Sequence, residues 1–384
     1  MTSVDGVREE TLTIRAMPDF TLKRFFSQPA AATARANLSP SFAEPRGTAA
    51  LLALEPGAAD AFVALPLGYT TAFGGAALRG AIAARYDTVA PEEIVAACGG
   101  DDILPTLFMA LLQPGDHVIV QSPVYQPLTS VAEWCGSTVS LWAADEDDAW
   151  VPSLAALSHL LRLNTRLIVT NFPHSPTGFA PDRAYLERLI ALADEAGATL
   201  IGDEIYRGLP LEGETEAPSL ADLSARAVVL NSVSKTLGLP GLRVGWLATH
   251  DAAILDAVRA FRMHQNSYIG APTEFLAALA LRYADTILAE NLALAGENLT
   301  ALAAFIARND ALFSWVPPCA GVVAFPRWRG AETTSGLSER LLREHGLLLA
   351  SSAHFAGGER HVRVGFGTAG ATAGLALLEE ALRA

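Results

Sequence analysis

The segment N231-S-V-S-K-T-L-G-L-P-G-L-R243 places a lysine, two serines and an arginine within thirteen positions. That mix can do a particular kind of chemistry: an amine that condenses with an aldehyde, hydroxyls that donate to a phosphate, and a permanent positive charge beside them. Lys235 stands out for a second reason. The chain carries 27 Lys+Arg, yet only Lys23 and Lys235 are lysines. Arginine can supply a fixed charge almost anywhere, but its guanidinium stays protonated and forms no Schiff base. A lysine kept in so lysine-poor a chain is therefore a candidate for amine chemistry. Lys23, in T-L-K-R-F-F near the terminus, reads as a solvated surface charge. The plain alternative for the whole segment is a polar turn before a strand.

Other residues of the right type stand at predicted strand ends. Asp203, in I-G-D-E-I-Y, is either a carboxylate facing a cationic group or an ordinary helix cap. Tyr206 follows three residues on. The string C98-G-G-D-D-I follows a strand and opens a helix, where Gly100 and Asp101 can offer backbone N–H groups to an anion. An ionised Asp101 side chain beside a phosphate would repel it, so its backbone is expected to act instead. Tyr125 in S-P-V-Y, Asn171 and His174 in N-F-P-H, and Ser175 beside them complete the polar set. His174 is a candidate acid or base, against the plainer reading of a hydrogen-bonded loop histidine.

The elements that position these residues alternate. Apolar runs at 93–98, 117–121, 137–142, 166–171, 198–203, 226–231 and 242–248 predict buried strands, separated by helical patterns at 101–113, 127–135, 153–163 and 181–196. Such alternation predicts an α/β fold with a mostly parallel sheet flanked by helices, and ligands at the carboxyl ends of its strands. From about 251 the pattern changes to Ala/Leu-rich helices, with a long helical stretch at 272–307 and short strands at 321–328 and 361–367. This predicts a smaller α+β C-terminal domain. The expected division is an arm over 1–48 packing with the small domain, a large domain over 49–260 and the small domain over 261–384.

Composition narrows the partners. The 384 residues are 51% hydrophobic and 18% charged, with a formal net charge of −14, so a duplex-binding surface is not expected. No apolar stretch approaches the roughly 20 residues that cross a bilayer. The first residues, MTSVDGVREETL, lack the order of a secretory signal, and the cytoplasm is the default location. Cys98, Cys135 and Cys319 lie far apart without a CxxC pair, so neither a disulfide frame nor a metal site is indicated.

Taken in order over about 60–370, these motifs resemble the class I/II aminotransferase family of fold-type I enzymes dependent on pyridoxal 5′-phosphate (PLP). The resemblance implies that Lys235 holds the cofactor as an imine, that Arg243, Ser232 and Ser234 bind its phosphate, and that Asp203 pairs with the pyridine nitrogen. It implies further that Tyr206 bonds the ring hydroxyl and Tyr125 stacks on the ring. Arg363, in H-V-R-V-G, would clamp the substrate α-carboxylate. Tyr69, in Y-T-T-A-F-G-G-A-A-L-R, would reach the neighbouring site of a homodimer. Ser41, Phe42, Tyr268 and Phe355 are candidate pocket lining. The sequence departs from the family at N171-F-P-H-S-P-T-G178, where Ser175 stands in place of the asparagine of N-P-T-G.

Three strings, 171–174, 238–246 and 321–327, look closer to the capreomycidine synthase branch, whose chemistry is a cyclisation. Ala320 and Ser175 depart from that branch too. The resemblance implies that Lys235 takes the Cα proton of an amino acid through an external aldimine and a quinonoid. The favoured continuation is β/γ-elimination, replacement or cyclisation in specialised metabolism; conventional transamination with a 2-oxo acid is the alternative. A reading of another class is a PLP-binding regulator, which would need a DNA-binding domain for which 1–48 is short and not markedly basic, or a dead scaffold, against which the retention of Lys235, Asp203 and Arg243 argues.

Overall fold

The structure, a computed structural model, describes residues 16–383. The MTSVDGVREETL segment and the first part of the expected arm lie outside the described residues. All seven predicted apolar runs enter one sheet: β1 (Ile94–Ala97), β2 (His117–Ser122), β3 (Thr138–Ala143), β4 (Thr165–Asn171), β5 (Thr199–Asp203), β6 (Val228–Ser232) and β7 (Gly245–Ala248). Their spatial order is β1-β7-β6-β5-β4-β2-β3. Neighbours are parallel except for β7, which runs antiparallel to both β1 and β6.

The strands read as unbroken apolar runs because both faces are covered. Along β4, Leu167 and Val169 enter one core while Ile168 enters the other. β1 divides in the same way, Val95 and Ala97 against Ile94 and Ala96. In these strands, with period-two alternation and two buried faces, polar side chains gather at the strand ends; the edge strand β3 is largely exposed and carries Ser140 midway. Truncating a fully buried residue such as Ile168 to alanine would remove about 2–5 kcal/mol of stability. Helices on the two faces include α2 (Gly100–Leu111) and α5 (Arg183–Glu195), with α3 (Pro127–Trp134) and α4 (Leu154–Leu160) between them in the chain; α1 (Thr21–Phe26) precedes them all.

The C-terminal part is built on three short strands, β8 (Val323–Ala324), β9 (Ala350–Ser351) and β10 (Val362–Gly365), antiparallel in the order β8-β10-β9. Its core includes Leu302, Phe305, Phe313, Val322, Phe366 and Leu378, and Leu38 of the N-terminal arm inserts there. Arm residues 36–37 pair in parallel with 347–348, and Leu38 accepts a bond from the Gly365 N–H.

Three expectations shift in detail. The helical stretch 272–307 is two helices, α6 (Ala271–Arg282) and α7 (Ala284–Arg308), broken at Tyr283, whose φ of −106° and ψ of 21° are not helical. The run at 321–328 is divided at Pro326, which has no N–H to donate; Arg327–Trp328 pairs instead with Phe313–Ser314. The run at 242–248 becomes a strand only at Gly245, because Arg243 takes a left-handed conformation with φ 51°. Among the described residues, no helix is long and apolar enough to cross a membrane, and no cluster of three or more His, Cys, Asp or Glu side chains could hold a metal.

Candidate active site

The carboxyl ends of β4, β5 and β6 open into a cavity of about 250 Å³. Strand register puts Asn171 and Asp203 side by side at this edge. Lys235 follows β6 on a loop, and its Nζ donates to Ser41 Oγ at 3.0 Å. Its carbonyl accepts the Ala43 N–H at 2.8 Å, so the arm holds the loop at two points. Asp203 Oδ1 accepts the Ile205 N–H at 3.2 Å. No helix follows, only a turn, so the helix-cap alternative for Asp203 does not hold. Burial pushes the Asp203 carboxyl up to about 6, against the opposing pull of the Ile205 N–H and the Lys235 ammonium.

The turn at 98–100 enters α2 at one wall of the cavity. Gly99 has φ 97°, and a Cβ there would come within 2.7 Å of Arg243 Nη2, so a side chain would displace the guanidinium. Asp102 fastens this turn: its Oδ2 accepts the Cys98 N–H at 3.0 Å and fully buried Arg262 Nη1 at 2.9 Å. The Asp101 carboxylate, expected to repel a phosphate, is held by three partners. Oδ1 accepts Tyr125 Oη at 3.0 Å, and Oδ2 lies 3.2 Å from Lys23 Nζ and 3.7 Å from Arg243 Nη2. Burial works to raise the Asp101 pKa, but Lys23, the tyrosine hydrogen bond and Arg243 outweigh it and hold the carboxyl below its ordinary range.

At another wall, Arg363 on β10 is 4% exposed, donates from Nη2 to Ser39 O at 2.9 Å and lies 4.8 Å over the Phe355 ring. Its Nε is buried with no hydrogen-bond partner among the described residues. The guanidinium as a whole lines the cavity, and a buried guanidinium there is a place for a carboxylate. Tyr206 Oη donates to Ser41 O at 2.9 Å. The arm passes so close to β10 that a Cβ on Gly365 would meet Pro40 O at 1.8 Å, which only glycine permits.

The cavity thus gathers Lys235, Asp203, Tyr206, Gly100, Asp101, Tyr125, Asn171, Ser175, Ser232, Ser234, Arg243, Arg363 and Ser41. Tyr69 is not among them; it is 92% exposed, with its ring 5.0 Å from that of Tyr268. Phe42 and Tyr268 do not line the cavity, and Phe355 acts from behind Arg363. Asn171 donates from Nδ2 to Asp203 O and accepts the Ser175 N–H, both at 2.8 Å, and so ties a strand end to the loop. His174 accepts on Nδ1 from Thr177 Oγ1 at 2.7 Å and donates from Nε2 to Pro123 O at 2.8 Å. Burial lowers its pKa to about 4, leaving a neutral loop histidine. The sequence reading missed α1, whose Leu22, Lys23 and Phe26, with Phe20 before it, form one wall. Lys23 stays solvated, with 59% of its side chain exposed, but it lines the cavity and pairs with Asp101. The only local signal was the apolar spacing in F-T-L-K-R-F-F.

The aminotransferase class I and II family model matches residues 66–382. The chain belongs to this family. A capreomycidine synthase from Streptomyces vinaceus is 30% identical over 289 residues, covering 75% of this chain and 74% of that protein. A solved PLP-dependent aminotransferase from Streptococcus suis 89-1591 superposes with a TM-score of 0.90 at 30% identity, covering 96% of this chain and 98% of the other. The PLP-dependent cyclase OrfR superposes with a TM-score of 0.85 at 27% identity, over 97% and 99% of the two chains. As a class I and II aminotransferase-family enzyme, the protein uses PLP. The donor set fits that cofactor: an amine, a buried carboxylate, and an arginine with serine hydroxyls and a helix start beside it.

Proposed function

We propose that this PLP enzyme removes the Cα proton of an amino acid and then expels a β or γ group, with replacement or cyclisation to follow, in preference to keto-acid exchange. The observation that carries the reaction type is Ser175 lining the cavity where the family has asparagine, while Asn171 uses its carboxamide on the Asp203 carbonyl and the Ser175 N–H. The ring hydroxyl then meets a shorter donor, and a hydrogen bond of this kind contributes on the order of 1 kcal/mol. The likeness to a capreomycidine synthase and to a cyclase along almost the whole chain supports the same reading.

When bound, PLP supplies the aldehyde that an amine can join and a ring that draws electrons away from Cα. The protein's own groups do the rest. Arg243, Ser232, Ser234 and the backbone of Gly100 and Asp101 hold the phosphate. Asp203 would keep a proton on the ring nitrogen, Tyr125 would lie against the ring and Tyr206 would reach its hydroxyl. Arg363 would take the α-carboxylate with its guanidinium, which would fix Cα near the amine of Lys235. Lys235 Nζ receives the Cα proton as general base. Phe20, Leu22 and Phe26 exclude water from that transfer.

The test is a panel of amino acids with pyruvate and 2-oxoglutarate as acceptors, followed by product mass and the visible spectrum. A leaving group released without transfer of the amino group to the added oxo acid is expected. Brisk exchange between amino acid and oxo acid would refute the reaction type. The active unit in this reading is a homodimer in which Tyr69 reaches the partner's site; the exposure of Val63, Leu67 and Tyr69 at 84%, 82% and 92% supports it. A monomer by light scattering would exclude it.

A further inference from the structure

Both lysines of this arginine-rich chain stand at one cavity, and the reading above gives a role only to Lys235. Lys23 reaches in from α1, with Nζ 3.2 Å from Asp101 Oδ2 and 5.1 Å from the Phe20 ring centroid. Asp101 lies in the first turn of α2, and the same oxygen is 3.7 Å from Arg243 Nη2. A carboxylate therefore sits among the groups that the proposed function assigns to the cofactor phosphate. The start of α2 offers about half a positive charge and Arg243 a full one. Asp101 cancels most of that sum, which leaves little attraction for a dianion.

We propose that Lys23 is a positioning residue for the cofactor phosphate: by pairing with Asp101 it offsets the carboxylate and leaves the phosphate cup net positive. The inference rests on the phosphate assignment made above. Asp101 is useful in return, because its other oxygen holds the Tyr125 hydroxyl at 3.0 Å and so fixes the ring that lies in the cavity. A threonine at 101 would lose that tether and remove the repulsion as well. Lys23 is needed only because Asp101 is there.

That dependence is the test. The full-length chain is stripped of cofactor and titrated with PLP by absorbance, as wild type, Lys23→Ala, Asp101→Thr and the double variant, with circular dichroism to confirm that each is folded. Lys23→Ala should weaken PLP binding about tenfold, the scale of a half-exposed charge pair acting on a doubly charged ligand. Asp101→Thr alone should bind at least as tightly as wild type. Adding Lys23→Ala to Asp101→Thr should change affinity by less than about threefold, since the two residues act as one unit. A double variant as weak as Lys23→Ala would overturn the inference, because Lys23 would then act by docking α1. So would unchanged affinity in Lys23→Ala. A wild-type chain that takes up no PLP would instead sink the phosphate assignment itself, a separate outcome.

Discussion

Replacing Asp203 with asparagine should stabilise the protein when it is free of cofactor and weaken it when cofactor is present. The Asp203 carboxyl is raised from 3.8 to about 6, chiefly by burial. Between those pH values the folded state keeps a proton that the unfolded chain has released. Stability is therefore lost as pH rises through this window, and the full penalty is present above about pH 6. A shift of roughly two units corresponds to about 3 kcal/mol at 1.36 kcal/mol per unit. Water in the cavity solvates part of the charge, so a gain of about 1–3 kcal/mol is expected for the variant at pH 7.5. Asparagine keeps Oδ1 for the Ile205 N–H, so the turn after β5 survives the change. Urea unfolding of stripped wild type and Asp203→Asn at pH 4 and pH 7.5 measures the effect: the gap should open at pH 7.5 and nearly close at pH 4. With saturating PLP the order should reverse, because asparagine cannot offset a protonated ring nitrogen and the stabilisation from bound ligand falls with affinity. A variant less stable than wild type without cofactor at pH 7.5, or a gap independent of pH, would show that Asp203 is not held against a desolvation penalty.

Three further outcomes follow from the same geometry. Lys235→Ala should lower turnover by at least about 10²–10⁴-fold, the range of a lost general base, and borohydride should no longer fix the cofactor to the 231–243 peptide; normal turnover would refute the assignment. Arg363→Lys replaces a fork by a point charge and should reduce kcat/KM by about 10–100-fold for amino acids, while binding of the matching amines without a carboxylate is unchanged. His174→Ala should lower stability by about 2 kcal/mol through two lost buried hydrogen bonds, yet leave the limbs of the kcat/KM pH profile where they are. A displaced limb would make His174 a proton-transfer group after all.

The fold was legible where the physics is local and repetitive. Strands β1, β2 and β4 to β7 bury both faces, so each announces itself as a short apolar run, while the edge strand β3 is largely exposed. The glycines and acidic residues at their ends mark where burial stops and chemistry can begin. Lys235 and Asp203 were readable for that reason. Element boundaries were less so: nothing local shows that Arg243 would turn left-handed before β7 or that the helical pattern would break at Tyr283. The Lys23–Asp101 pair was not legible, because the neighbours of Lys23 in the chain describe a small amphipathic helix and say nothing of Asp101, 78 residues away. The pairing of arm residues with 347–348 and the tether between Asp102 and Arg262 are likewise long-range contacts that no spacing rule encodes.

Three site side chains lean on a stretch of only three arm residues: Arg363 on the Ser39 carbonyl, Lys235 on the Ser41 hydroxyl and Tyr206 on the Ser41 carbonyl. That stretch works as a gauge block, setting the gap between the amine and the guanidinium more directly than either sheet does. Adding or deleting one residue in it would slide the two apart or together and leave the seven-stranded sheet untouched. Descendants of this chain could thus be fitted to longer or shorter amino acids by editing a loop near the terminus, long before any strand had to change.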